Sequence, residues 1–276
     1  MEKLVFTTYL APSVRPVYGF VARAVGERLG IETELADGTS CDRFASGEGD
    51  VAFICGLPYV ELASGAEPES EPESEPEWEP PFELLAAPVL SGARYGGQPV
   101  YFSDVIVHAD SDIHSFEELR GRNWSFNEPH SHSGYSVTRA HLARIGEPRG
   151  FFNLVIEAGL HQRSIELVRE RVVDGSAIDS QVLEIAMRED PALTEELRIV
   201  ETLGPSTIQP VVASMTLPAP LRRDLRGILL DLGHTPEERE ALGHGLVAGF
   251  EVVEDADYDD IRAMVADAEA AGVEWC

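Results

Sequence analysis

The feature that most constrains the fold is the alternation of short apolar segments with amphipathic helical segments. The N-terminal part predicts strands over residues 4–10, 31–36 and 50–55, and an amphipathic helix over residues 16–29. This β-α-β order is typical of a mostly parallel sheet with helices on both faces, whose ligand site lies at the carboxyl ends of the strands. The chain is therefore predicted to be an α/β protein.

The length of 276 residues fits one large domain or two lobes of roughly 100–150 residues. A second series of strands and helices begins with a strand predicted over residues 100–108, after a turn-forming Gly-Gly-Gln-Pro segment. A returning strand is predicted over residues 210–215, and the remainder is predicted to be helical. Two α/β lobes are therefore expected.

The charge balance excludes several classes of partner. Acidic residues outnumber basic ones by 49 to 21, which gives a formal net charge of −28 and argues against nucleic-acid binding and docking on anionic membranes. Lys3 is the only lysine. Two explanations stay open: a GC-rich genome that favours arginine codons, or adaptation to high salt, where a dense carboxylate surface is screened.

The cysteines and the start of the chain carry little functional signal. Cys41, Cys55 and Cys276 are odd in number and lack C-x-x-C spacing, so neither a disulfide framework nor a zinc site is predicted. The start shows no charged n-region followed by an apolar h-region, and no uninterrupted apolar run approaches the roughly 18 residues of a membrane span. We expect a chain without membrane insertion that is cytoplasmic as written, or extracytoplasmic if a leader was removed.

A Pro-Glu-Ser-Glu repeat occupies residues 67–81, with seven glutamates between Glu67 and Glu79. Its charge and prolines prevent packing and predict an extended acidic surface loop within the first lobe. An acidic binding motif for a metal or a basic partner is the open alternative.

The segment Ser131-His132-Ser133-Gly134-Tyr135 follows a predicted strand and opens a predicted helix. Free backbone N–H groups and hydroxyls at the positive end of a helix suit an anion. The alternative is that Ser131 or Ser133 only caps the helix. A metal held by His130 and His132 is disfavoured, because side chains at i and i+2 point apart and no companion with metal-site spacing is present.

This segment resembles the S-x-S-G ligand loop of the phosphonate/phosphate/phosphite-type solute-binding proteins of ABC transporters. Further segments resemble that family in the expected order, so the likeness covers nearly the whole chain. They are Asp50-Val51-Ala52-Phe53-Ile54-Cys55-Gly56-Leu57-Pro58-Tyr59, Tyr101-Phe102-Ser103-Asp104-Val105, Gly159-Leu160-His161-Gln162-Arg163-Ser164, Asp174-Gly175-Ser176-Ala177-Ile178-Asp179-Ser180 and Asp257-Tyr258-Asp259-Asp260-Ile261-Arg262.

The resemblance implies a two-lobed type II periplasmic-binding-protein fold with the ligand cleft between the lobes. Residues 1–99 and 210–276 would form lobe 1, and residues 100–209 lobe 2. The implied function is binding of a small anion such as phosphonate, phosphate or phosphite by hinge closure, with an ABC permease as partner and no catalytic residue, metal or cofactor. The implied ligand residues are Ser131, His132, Ser133, Gly134, Tyr135 and His161 as the cradle, Tyr59 and Tyr101 as cleft walls, and Tyr9 and Asp179.

Two departures from the family pattern affect the ligand assignment. His132 stands where better-known members carry threonine, and Leu160 replaces the serine of the histidine motif. An ordinary histidine at position 132 predicts tighter anion binding below about pH 6.5. Asp179 has a plain alternative as the cap of the helix that follows it.

Two other functions remain open on the same fold. One is a cytoplasmic enzyme acting on a small carboxylate or phosphate-bearing metabolite, with His161 and either Asp179 or Glu157 as acid/base candidates. The other is an intracellular sensor that reports the ligand to a protein partner through closure.

Overall fold

The computed structural model describes residues 3–65 and 79–275. In these ranges the strands, in chain order, are β1 (Lys3–Thr8), β2 (Glu32–Asp37), β3 (Val51–Phe53), β4 (Phe82–Leu90), β5 (Val100–His108), β6 (Asn123–Phe126), β7 (Leu154–Glu157), β8 (Gly175–Asp179), β9 (Leu197–Thr207), β10 (Val211–Ser214) and β11 (Val247–Glu251). The α-helices are α1 (Arg15–Leu29), α2 (Cys41–Ala45), α3 (Gly56–Ser64), α4 (Val137–Arg144), α5 (His161–Arg169), α6 (Ser180–Glu189), α7 (Leu193–Glu196), α8 (Ala219–Leu230), α9 (Pro236–Gly243) and α10 (Asp259–Ala270).

Unit 1 comprises the described residues up to Pro99 together with Ile208–Tyr258. Its sheet has the strand order β11-β4-β10-β3-β1-β2. The β-α-β start of the chain gives the parallel pairs β1–β2 and β1–β3. Tyr18 of α1 stacks on Phe53 with ring centroids 4.0 Å apart, so the apolar face of this helix covers the sheet.

Unit 2 comprises Val100–Thr207 and Asp259–Cys276, of which residue 276 lies outside the described range. Its sheet has the order β7-β6-β8-β5-β9. An aromatic core covers one face, where Trp124 of β6 stacks on Phe152 at 4.7 Å and Phe116 stacks on Phe151 at 5.4 Å. Burial of such rings stabilises the unit, since each removes roughly 150–250 Å² from water.

The expectation of mostly parallel sheets is wrong, because both sheets are mixed. In unit 1, β10 pairs antiparallel with β3 and β4, and β11 pairs antiparallel with β4. In unit 2, β5 pairs antiparallel with β8 and β9. A crossover helix between neighbouring strands enforces parallel pairing, whereas strands by which the chain enters or leaves a unit are free of that constraint.

The C-terminal segment corrects the predicted division of the chain. Residues 259–276 were expected in lobe 1, but α10 and the following turn belong to unit 2. Ala268 and Val273 are buried in the core of that unit, and Asp260 Oδ2 accepts a hydrogen bond of 2.7 Å from the Thr207 N–H. The apolar face of α10 therefore determines the unit to which it belongs, and the chain passes between the units three times.

Part of the acidic repeat lies outside the described residues, as Glu67–Trp78 fall between residues 65 and 79. Among the described helices, none combines the length and apolar character that crossing a membrane requires.

Candidate anion-binding site

The segment that carries the candidate site begins a helix in unit 2. Ser131 has an extended backbone, and its Oγ accepts a hydrogen bond of 3.1 Å from the Gly134 N–H. Residues 132–136 form one wide π-turn, closed by a bond of 3.1 Å from the Ser136 N–H to the Ser131 carbonyl, and α4 follows directly. The serine cap predicted as an alternative is therefore present. The first turn of the helix lies among buried serine and histidine side chains.

His132 is fully buried. Its Nε2 lies 2.9 Å from Ser206 Oγ of β9, and its ring lies edge-on to the Tyr101 ring with centroids 6.4 Å apart. Nδ1 is buried and has no hydrogen-bond partner among the described residues. Burial lowers the pKa of His132 to about 4, because the charged ring would lose its hydration. The ring is therefore neutral at neutral pH, which corrects the expectation of an ordinary histidine titrating near pH 6.5.

His161 mirrors this arrangement at the start of α5. Its Nε2 lies 3.0 Å from Ser133 Oγ, which in turn lies 3.5 Å from Ser131 Oγ. Its Nδ1 is also buried without a hydrogen-bond partner in the described part of the chain. Burial lowers the pKa of His161 to about 4. We call Ser131, His132, Ser133, His161 and Ser206 the serine–histidine cluster.

Asn127 closes one side of this cluster. The side chain is 7% exposed, and its Oδ1 is buried without a hydrogen-bond partner among the described residues. A β-carbon on Gly134 would lie 2.0 Å from that oxygen and 3.1 Å from His161 Cε1. The glycine therefore permits the close approach of the helix start to both side chains.

The remaining predicted residues lie in four different settings. Tyr101 lies beside His132, as noted. The ring of Tyr135 packs instead on Phe126 and Trp275, with centroids 5.2 and 5.1 Å away, so its side chain belongs to an aromatic cluster. This packing favours a structural role for the ring, and the ligand role of Tyr135 stays a prediction.

Tyr9 and Tyr59 belong to unit 1. The Tyr59 hydroxyl donates a hydrogen bond of 2.9 Å to Asp255 Oδ1, and its ring lies 4.4 Å from that of Tyr258. The ring of Tyr9 lies against Gly38, and burial raises its pKa to about 12. The ligand role of both tyrosines stays a prediction.

Asp179 has the capping role that the sequence left open. Its Oδ1 accepts hydrogen bonds from the N–H groups of Gln181 and Val182, at 2.8 and 3.2 Å, at the start of α6. These two hydrogen bonds explain why the carboxylate can be buried, and no ligand is needed for that explanation. Its ligand role also stays a prediction, and the capping geometry favours the structural alternative.

Sequence reasoning missed Asn127, Ser164 and Ser206. Ser164 Oγ is buried without a hydrogen-bond partner within the described ranges, one helical turn after His161. Ser164 is the last residue of the segment that resembles the histidine motif of the family, so the sequence could have indicated it as a candidate. Ser206 lies 74 residues from His132, and no local pattern connects the two.

The pair Ser133–His161 has the spacing of a nucleophile and its base, which bears on the enzyme alternative. A catalytic histidine of this kind needs a third group to orient its other nitrogen and a pKa near the working pH. His161 meets neither requirement: its Nδ1 has no hydrogen-bond partner among the described residues, and its pKa is about 4. Within the described residues, no three His, Cys, Asp or Glu side chains converge as metal ligands. The arrangement is suited to hydrogen bonding of a bound anion.

Comparison with known proteins decides the family. Residues 5–258 match the model of the family described as ABC transporter, phosphonate, periplasmic substrate-binding protein. The chain belongs to this family. The phosphonates-binding periplasmic protein of Escherichia coli (strain K12) is 24% identical to this chain over 182 residues, which are 64% of this chain and 54% of the relative. The chain thus matches little more than half the length of that relative.

Solved structures show the fold of this chain. The binding-protein component of an ABC phosphonate transporter from Pseudomonas aeruginosa has a TM-score of 0.80 at 17% identity, with coverage of 98% of this chain and 87% of the other. PhnD1 from Prochlorococcus marinus (MIT 9301), solved in complex with methylphosphonate, has a TM-score of 0.80 at 15% identity and covers 99% of both chains. The predicted type II periplasmic-binding-protein fold is confirmed.

Proposed function

We propose that the protein binds a small phosphonate, phosphate or phosphite oxyanion at the serine–histidine cluster, as the solute-binding component of an ABC-type uptake system. The observation that carries this proposal is the pair of buried histidines, each with one nitrogen at a serine hydroxyl and the other without a partner among the described residues. A buried polar atom left without a partner costs about 1–3 kcal/mol. Ligand oxygens at these atoms would remove that cost.

Neutral hydrogen bonding is the expected mode of binding. With the ring hydrogens on Nδ1, Ser206 and Ser133 donate to the Nε2 atoms of His132 and His161. The cluster then offers the two Nδ1–H groups, the Ser131 hydroxyl and the first turn of a helix, whose dipole favours negative charge by roughly 0.3–1 kcal/mol. Hydrogen bonds to a charged oxygen contribute roughly 1.5–3 kcal/mol each, so they outweigh the dipole. A tetrahedral oxyanion presents several acceptors in a small volume, which matches hydroxyls and rings gathered around one helix start.

Membership of the family supports the remaining parts of the proposal. The partner is an ABC permease, and the protein works on the extracytoplasmic side of the membrane as a binding protein without catalytic activity. Ligand binding is accompanied by hinge closure, and the chain segments at residues 99–100, 207–208 and 258–259, where the chain passes between units, act as hinges. A ligand-dependent decrease in the radius of gyration in solution scattering tests the closure.

A thermal-shift and calorimetry panel tests the ligand. The panel contains methylphosphonate, phosphate, phosphite, sulfate and acetate, and saturation at 100 times the dissociation constant adds about 2.7 kcal/mol of stability. Ser133→Ala removes the hydroxyl between Ser131 and His161 and is expected to weaken binding by roughly tenfold or more.

Ser111→Ala is the matched control, since Ser111 Oγ is also buried without a partner among the described residues but belongs to unit 2 outside the cluster. The Ser111→Ala variant should bind the phosphorus oxyanions with the same affinity as the unmodified protein. If none of the phosphorus oxyanions raises the melting temperature, or if the two serine variants lose affinity equally, the proposal is wrong.

A further inference from the structure

One tryptophan of unit 2 contacts the chain just before and just after the cluster residues 131–133. The ring of Trp275 stacks on Phe126, with centroids 5.5 Å apart and an angle of 10° between the ring planes. It also lies 5.1 Å from the ring of Tyr135. Phe126 is the last residue of β6, and Tyr135 lies within the π-turn of residues 132–136. Trp275 therefore contacts both the strand that leads to the cluster and the turn that contains part of it.

The backbone that precedes Trp275 is fixed within unit 2. Val273 is 4% exposed and belongs to the hydrophobic core, and its N–H donates a hydrogen bond of 3.0 Å to the Ala268 carbonyl of α10. The Glu274 N–H donates a hydrogen bond of 2.8 Å to the Pro148 carbonyl. These contacts determine where the indole lies, so Trp275 can support the residues that pack on it.

Arg139 connects the same segment to the π-turn by a second route. Its guanidinium carbon lies 5.2 Å from the centroid of the Tyr135 ring, where a cation is attracted by the ring electrons. Its Nη2 donates a hydrogen bond of 3.2 Å to the Val273 carbonyl. Tyr135 is thus linked to the segment Val273–Trp275 directly through Trp275 and indirectly through Arg139.

The π-turn has an uncommon backbone geometry. Such turns are rare in proteins and occur mostly as single turns within helices, often at functional sites. The positions of His132 and Ser133 depend on this turn. An aromatic pair stabilises the packed state by roughly two- to tenfold beyond the area that it buries. The contacts of Tyr135 therefore favour the turn geometry that brings the cluster side chains together.

We propose that Trp275 positions the π-turn through the ring of Tyr135 and thereby helps to determine the anion affinity of the serine–histidine cluster. This inference rests on the proposed function and adds to it a residue outside the cluster. Trp275 is a positioning residue, because it acts through Tyr135 and Phe126 and not through contact with the anion.

Calorimetry with methylphosphonate tests the proposal on the full chain, under conditions in which each variant is folded. Trp275→Ala should weaken binding by roughly three- to tenfold, and Trp275→Phe, which keeps an aromatic ring, should restore most of the affinity. Tyr135→Leu removes the same contact from the other side, and it tests the proposal even if Trp275→Ala does not fold. Because both changes remove one contact, the double variant should bind no more weakly than the weaker-binding single variant.

Phe151→Leu is the matched control. Phe151 is 1% exposed and stacks on Phe116 in the aromatic core, so its replacement lowers the stability of the same unit. This variant should bind methylphosphonate as tightly as the unmodified protein does. The proposal is wrong if Trp275→Ala binds as tightly as the unmodified protein, if Trp275→Ala and Phe151→Leu lose affinity equally, or if the losses in the double variant add.

Hydrogen exchange in the free protein distinguishes failure of this proposal from failure of the proposed function. The N–H groups of Gly134 and Ser136 donate hydrogen bonds within the turn, and the Asp174 N–H donates one of 2.8 Å to the Asn123 carbonyl at the opposite end of β6. Trp275→Ala should speed exchange at Gly134 and Ser136 by roughly threefold or more relative to Asp174. If the unmodified protein bound no phosphorus oxyanion, the proposed function would fail, whereas unchanged relative exchange rates would overturn the positioning role of Trp275.

Discussion

The two buried histidines predict a specific loss of stability in mild acid. Burial lowers the pKa of each from its ordinary value of 6.5 to about 4 in the folded protein. Because folding keeps the proton off both rings, the unfolded chain binds more protons than the folded one between pH 6.5 and 4. The free energy of unfolding therefore rises with pH in this window, and the contribution is lost as the pH falls through it.

The magnitude follows from these values. Between pH 7.5 and pH 5, one such histidine changes the free energy of unfolding by about 2 kcal/mol, and the two together by about 4 kcal/mol. The lower of these two pH values, pH 5, stays above the ordinary pKa values of Asp and Glu side chains, about 3.9 and 4.3. Urea unfolding at pH 7.5 and pH 5 measures the pH difference of the whole protein, to which His141 also contributes because burial lowers its pKa. The share of His132 and His161 is obtained from variants.

Glutamine at each position keeps a polar side chain and removes the titration. Relative to the unmodified protein, His132→Gln and His161→Gln should each reduce the difference between the two pH values by about 2 kcal/mol. Both variants lose stability at pH 7.5 through imperfect packing, so the pH difference is the quantity to compare. His130→Gln, at an exposed position three residues from Ser133, should leave it unchanged. An unchanged pH difference in the two buried variants would refute the reasoning.

Two further changes separate positioning from structural roles. Ser206→Ala removes the group at Nε2 of His132, which should lower stability by about 1–3 kcal/mol in urea unfolding and weaken methylphosphonate binding in calorimetry, because the ring loses the contact that orients it. Asp179→Ala removes the cap of α6 and should cost about 0.5–2 kcal/mol of stability, with unchanged methylphosphonate affinity if capping is its only role.

Local patterns predicted the elements that frame the site. The strand expected at residues 4–10 is β1, and the helix expected at residues 16–29 is α1, since the hydrophobic periodicity of each is contained within one segment. The serine cap at Ser131 was likewise a local signature. Short-range regularities such as these determine an element before any tertiary contact forms.

Properties that depend on distant residues were not predictable in this way. The partner of His132 is Ser206 on β9, and the pairing of β9 with β5 at the edge of the sheet depends on residues far away in the chain. The depressed histidine pKa values depend on burial, which a sequence position does not specify. The placement of α10 in unit 2 depends on which apolar surface its own apolar face meets.

The net charge of −28 bears on how such a protein can bind an anion at all. A uniform field of that sign opposes an approaching oxyanion, yet the Debye length of about 8 Å at physiological ionic strength screens exposed carboxylates beyond that distance. Binding then depends on groups within hydrogen-bonding reach. The serine–histidine cluster consists of neutral side chains at the positive end of a helix, and the buried carboxylate of Asp179 already accepts hydrogen bonds from two backbone N–H groups. Under the proposed function, a site of this composition separates the local attraction of an anion from the repulsive charge of the whole surface, so the net charge does not conflict with the proposal.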